Sequence, residues 1–161
     1  MFTVAEANEL IPQLKKMLLQ ANQELLEKDD ILADAFDRHQ LCEQEMAVPI
    51  EVAVTNSVTG EQNNSSKKLL ECRQNFQNSI QSLSQAKQNY IETLDFWLEE
   101  ISHTGVILRD IKSGLLDFPA QAGDFEYHLC WQANEDEIRF WHMTNEGYSG
   151  RRPLAVLKEY S

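Results

Sequence analysis

Asp110, Asp117, Cys130, His142 and Glu146 bring carboxylate, thiol and imidazole groups into the last third of the chain. Those are the donors a transition metal takes, with thiolate and imidazole suiting zinc and a carboxylate completing the coordination. Cys130, His142 and Glu146 are the ligand candidates, and none sits in a Cys-x-x-Cys or His-Glu-x-x-His spacing. Strand register therefore decides whether they meet. With Ala133–Asp136 as a four-residue loop, Gln132 faces Glu137, Cys130 faces Arg139 and His142 faces Tyr127. Cys130 then shares a sheet face with Trp141, and His142 shares the other with Leu129, Trp131 and Phe140. Only an odd-length loop or a β-bulge brings Cys130 and His142 together.

A nucleophilic role for Cys130 needs a lowered pKa and a base within reach. The sequence supplies neither, so a buried, inert thiol beside tryptophan is the favoured reading. Arg151 and Arg152, set among Tyr148, Gly147 and Gly150, are the candidate anion-binding pair, because guanidinium forks grip carboxylate or phosphate bidentately. The competing reading is structural: Asp110, Asp117 and Glu146 are local acids that the arginines can pair with, pinning the tail to the sheet. His103 and His128 read as surface or packing residues, His39 as a half-buried seam position, and Trp97, Trp131 and Trp141 as core.

The elements that must position these groups are two long helices and a small sheet. Thr3-Val4-Ala5-Glu6 is a capping box. Behind it Val4, Ile11, Leu18, Leu25 and Leu32 interleave with Ala7, Leu14, Ala21, Lys28 and Ala35, one helical face from about residue 4 to about 45, with a kink at Pro12. Residues 46–66 are rich in turn formers and read as a loop, with a weak extended piece over Pro49–Val54. A second helix spans about 66–103, its seam carried by Leu69, Phe76, Leu83, Tyr90 and Trp97 with a second row of Ile80, Leu94 and Ile101, and Gly105 as its C-cap. Beyond Gly105 the apolar spacing turns short and alternating, predicting strands near 106–110, 115–118, 125–132 and 137–142 in an antiparallel meander, then an irregular tail over 143–161. The fold class is α+β: a helical hairpin over 3–104, then sheet and tail over 105–161, all one domain.

The chain of 161 residues carries a formal charge of −12, which argues against a general affinity for nucleic acid or anionic lipid. No apolar run approaches the roughly 20 residues of a transmembrane helix, and the opening residues lack a secretory pattern. Three widely spaced cysteines (Cys42, Cys72, Cys130) read as reduced thiols in a cytoplasm, a Cys42–Cys72 pair being the alternative.

Leu129-Cys130-Trp131, Phe140-Trp141-His142, and Glu146-Gly147-Tyr148-Ser149-Gly150-Arg151, with the opening Phe2-Thr3-Val4-Ala5-Glu6-Ala7-Asn8, carry a resemblance over essentially the whole chain. It resembles an uncharacterised prokaryotic family, number 2203 of the domain-of-unknown-function series. The stretch 46–66 and Arg109, where that pattern has lysine, depart from it. The resemblance implies a helical hairpin plus small sheet in a bacterial cytoplasm and brings no activity. From the residues, the favoured reading is a homodimeric interaction or small-ligand-binding module without catalysis or cofactor, pairing through both helices because the small sheet covers only part of their apolar seam. A further protein partner is compatible with that reading. The alternative is a transition-metal protein or metalloenzyme built on Asp117, Cys130, His142 and Glu146.

Overall fold

Thr3 and Glu6 start the first helix as the sequence dictates. The Thr3 amide donates to Glu6 Oε2 at 2.8 Å and the Glu6 amide to Thr3 Oγ1 at 3.2 Å, satisfying two donors that a helix start leaves open. The computed structural model describes residues 1–47 and 62–159. Helix α1 is Val4–Ala47, continuous through Pro12, and α2 is Gln62–Ser102. Both helices reach further than expected, so 46–47 and 62–66 are helical. The rest of the expected loop, with its extended piece over Pro49–Val54, lies outside the described residues.

Five antiparallel strands follow in the order β1 Ile107–Asp110, β2 Leu115–Ala122, β3 Phe125–Gln132, β4 Phe140–Met143 and β5 Arg152–Pro153. Each pairs with its sequence neighbour, a meander, and the α+β class stands. Three boundaries differ from expectation. β2 runs on through Pro119, which is tolerated because β1 pairs no further than Ile107↔Asp117; the Pro119 carbonyl instead accepts from the Phe2 amide at 2.7 Å. β4 begins at Phe140, not 137, and the tail supplies a fifth strand and two short 3-10 turns.

The chain forms two compact units. In the first, Met1–Glu24 and Thr93–Ser161, the core joins Ala7, Ile11, Leu14 and Leu18 of α1 and Ile101 of α2 to Leu116, Phe118, Leu129, Trp131 and Trp141 of the sheet. Burial of these side chains at about 25 cal/mol per Å² of apolar surface is the main favourable term. Trp131 and Trp141 are fully buried, and Trp97 is nearly so, its indole donating to Glu24 at 2.9 Å.

In the second unit, Leu25–Glu92, the α1 stripe is as expected but the α2 row is displaced by one residue. Ile80 is exposed, and Ser79 and Ala86 take the buried positions. Ser79 fits where His39 leans in. Its Nδ1 lies 3.0 Å from Ser79 Oγ and its ring stacks on Phe76 at 5.3 Å, the half-buried seam position expected of it. Cys42, Cys72 and Cys130 are free thiols.

Gly114 turns β1 into β2 at φ +64°, where an added Cβ would sit 2.5 Å from Ala133 Cβ and 3.1 Å from Leu18 Cδ1. Gly123 turns β2 into β3 at φ +63° with open space around it. Gly123→Ala carries only the left-handed backbone penalty, about 1–2 kcal/mol. Gly114→Ala adds overpacking of about 1–3 kcal/mol. Thermal melts of the two variants should rank Gly114→Ala clearly lower; equal melting temperatures would contradict this packing.

Candidate metal centre

The β3–β4 register places the chemistry. β3 and β4 pair as Cys130↔Phe140 and His128↔His142, one residue out of step with the register a four-residue loop imposes. Two side chains account for the difference. Glu135 folds the connection onto β3, its carboxylate accepting from the Gln132 amide at 2.8 Å and its carbonyl from Trp131 Nε1 at 3.1 Å. Asn8 of α1 accepts from the Ile138 amide at 2.7 Å, drawing Ile138 into the core and off the ladder. The connection becomes the odd-length case, and because side chains alternate, every residue of β4 changes face. Expected partners Arg139 and Tyr127 are thus replaced. His142 shares its face with Cys130, not with Leu129 and Trp131.

Across the other hairpin Asp117 pairs with Cys130, so Asp117, Cys130 and His142 stand side by side on the sheet face turned away from the helices. They are 1%, 0% and 0% exposed. One ligand atom from each, a carboxylate oxygen, the thiol sulfur and an imidazole nitrogen, lies within 4.8 Å of the other two.

A buried carboxylate needs compensation, and Asp117 has it on both oxygens. Arg109 donates from Nε to Oδ2 at 2.6 Å, and His142 Nε2 lies 3.0 Å from Oδ1. A carbonyl can only accept, so the contact of His142 Nδ1 with the Met143 carbonyl at 2.8 Å puts a hydrogen on Nδ1 and turns Nε2 toward Asp117. Burial, then the charge of Asp117 and a hydrogen bond to it, push the Cys130 thiol up to about 12. Cys130 is thus a protonated thiol and not a nucleophile. His128 stands beside them with Nδ1 3.7 Å from Asp117 Oδ2 and its ring edge-on to His142 at 5.4 Å. Burial holds His128 below the usual histidine range against the opposing charge of Asp117, and its Nδ1 makes no hydrogen bond among the described residues.

The other candidates lie elsewhere. Asp110 accepts from the Lys112 amide and from the Ser113 amide and hydroxyl, organising the β1–β2 turn, and the Ser113 bond holds it below its ordinary pKa. Glu146 accepts from the Met143 amide at 3.1 Å and pairs through both oxygens with Arg152. Arg151 binds both oxygens of Glu135, at 2.8 and 2.6 Å, and the Cys130 carbonyl at 3.1 Å, with its guanidinium stacked on Phe140 and Tyr148. The two arginines thus hold carboxylates of the chain itself. They tie the tail to the sheet, with Glu135 in the place that Asp110 and Asp117 were expected to share.

Arg109, His128 and Glu135 are the site-forming residues that the sequence did not assign to the site; His128 was expected as a surface or packing residue. A signal existed for one of them. His128 lies two residues before Cys130, so strand alternation puts it on the site face, whereas Arg109 sits at the register shift between Leu108 and Asp110, which alternation does not foresee.

A family model described as an uncharacterized conserved protein, domain of unknown function 2203, matches residues 1–154. No curated protein and no solved structure matches the chain. The chain belongs to the DUF2203 family.

The Arg152 bonds, then the Met143 amide, hold Glu146 at about 2, well below the usual carboxylate range. A carboxylate whose folded pKa is depressed stabilises the fold above its unfolded pKa of about 4.3, and loses that contribution as the pH falls toward the folded value. Wild-type melting temperature should therefore fall between about pH 4.5 and 2 more steeply than that of Glu146→Gln. Parallel curves for the two proteins would show that the Arg152 pair contributes nothing to stability.

Proposed function

We propose that this DUF2203 member is a metal-binding protein whose ion is held by Asp117, Cys130 and His142. The observation that carries the reading is the meeting of three buried ligand atoms of different chemistry within 4.8 Å. Supporting it, the Nδ1–H of His142 is bound to a carbonyl, the outer-shell bond that orients a ligating imidazole through its other nitrogen. Thiolate, imidazole and carboxylate together suit zinc or cobalt better than magnesium or calcium. On binding, the ion takes the place of the thiol proton and of the hydrogen that His142 Nε2 presents to Asp117; both leave to solvent, so the high thiol pKa is no obstacle. Glu146, committed to Arg152, is not needed as a ligand.

The reading is tested with the full chain, untagged and freed of metal. Cobalt(II) titration should saturate at one ion per chain with a thiolate-to-cobalt charge-transfer band. Zinc at a hundredfold excess over its dissociation constant should stabilise by about 2.7 kcal/mol, roughly 5–10 °C in melting temperature. Cys130→Ser should lose the band and His142→Ala the stoichiometric uptake. Substoichiometric uptake without the band would reduce the cluster to a buried hydrogen-bond network.

Self-association through the helices is a second reading, favoured by Leu26, Leu41, Leu69 and Leu70, all at least 58% exposed. Sedimentation at micromolar concentration should give a dimer, and a monomer would end this reading. The three free thiols support a reducing, cytoplasmic setting, and the charge of −12 supports partners other than nucleic acid.

A further inference from the structure

We infer that the centre takes a small oxyanion as its exchangeable ligand, with Arg109 as the residue that receives it; this rests on the metal reading above. Three protein ligands leave a tetrahedral ion one open position, the arrangement that separates reactive sites from purely structural ones. His128 is the neighbour that could close it. Its nitrogen lies 3.7 Å from Asp117 Oδ2 but falls outside the group of atoms lying within 4.8 Å of one another.

Charge then selects the occupant. Before metal binds, Asp117 is shared by Arg109, through a single hydrogen bond from Nε, and by the Nε2–H of His142. A divalent ion bound by one carboxylate, one thiolate and a neutral imidazole is electrically neutral as a set. The same carboxylate cannot fully balance Arg109 as well, so one positive charge is left beside the ion. None of the three remaining acids near the cluster offsets it. Glu135 is taken by Arg151, Glu146 by Arg152, and Glu126 is exposed, where water screens it. Arg109 is 41% exposed at the side chain while Asp117 is 1% exposed, so the guanidinium spans from solvent to the buried carboxylate. Four of its five N–H groups are not used by Asp117, and a planar fork of donors next to a cation is the recognition element for carboxylate or phosphate. The anion would bind the ion through one oxygen and Arg109 through another, without a covalent step.

The test uses the cobalt(II)-loaded full chain, titrated with acetate and, separately, with inorganic phosphate, with chloride holding ionic strength constant. One or both should shift the ligand-field bands saturably, and which of the two does so assigns carboxylate or phosphate chemistry. Arg109→Gln should keep one cobalt per chain and the thiolate band yet weaken the anion about tenfold or more, the scale of a lost charge-assisted hydrogen bond. Arg109→Lys, which keeps the charge, should recover part of that loss and guards against a folding defect in the glutamine variant. Bands that respond to neither anion, or an unchanged anion affinity in both variants, would overturn the oxyanion assignment while leaving the metal in place. Failure to form the thiolate band at all would remove the metal reading and this one with it.

Discussion

One amide hydrogen decides whether Cys130 and His142 share a face of the sheet. The Ile138 N–H is taken by Asn8 on the first helix rather than by β3, and the β3–β4 connection is thereby odd in length. In a structure with a side-chain period of two, that parity cannot be shared: either Cys130 and His142 stand together or they stand on opposite faces. The bond is long-range, from residue 8 to residue 138, so the helix not only covers the sheet but sets its register. Glu135 fixes the same turn from the other side and anchors Arg151 with the carboxylate that braces the loop. Core, register and tail are thus mechanically linked through a few polar side chains.

The two faces of the sheet show what that register separates. Toward the helices lie Phe118, Leu129, Trp131 and Trp141, which need no polar partner to be buried beyond the indole nitrogens. Away from them lie Asp117, Cys130 and His142, equally sealed from solvent. A charged cluster in such a place is weak evidence for stability, because desolvation of the ions consumes most of what their attraction returns. It is tolerated here because each member is satisfied in turn: Arg109 on one carboxylate oxygen, His142 on the other, Met143 on the far side of the ring. Apolar residues of similar volume would close this face at lower electrostatic cost.

Much of the architecture was readable from residue spacing. The capping box, both helices, the glycine turns and the meander all follow from local chemistry, which acts over a few residues. The displaced row of the second helix was less so, since Ile80 outranks Ser79 in hydrophobicity and only the partner helix, whose His39 reaches Ser79 and stacks on Phe76, shows that a small polar residue fits better there. The site was half legible. Asp117, Cys130 and His142 were named by residue type, but their convergence depended on a parity that two side chains impose, neither of them in a ladder. His128 follows from alternation with Cys130, whereas Arg109 sits at the register shift of β1 and does not. Glu135 carries no residue-level signal, since an acid in a turn is ordinarily a solvated one.

Arg109 is where the stability of the cluster and its chemistry compete. In the metal-free state its positive charge makes a buried Asp117 tolerable. An ion at Asp117, Cys130 and His142 does the same more strongly, because it is a closer and larger charge. The two cannot both be fully balanced by one carboxylate. On the proposed reading the ion would take over Asp117, and the arginine's charge, part exposed and part buried, would be left at the edge of the site. A lysine in that position would supply the charge without the planar fork. What the guanidinium adds is the ability to keep one bond to Asp117 while offering the remaining donors elsewhere, which is the geometric condition for a residue that first stabilises a site and then serves it.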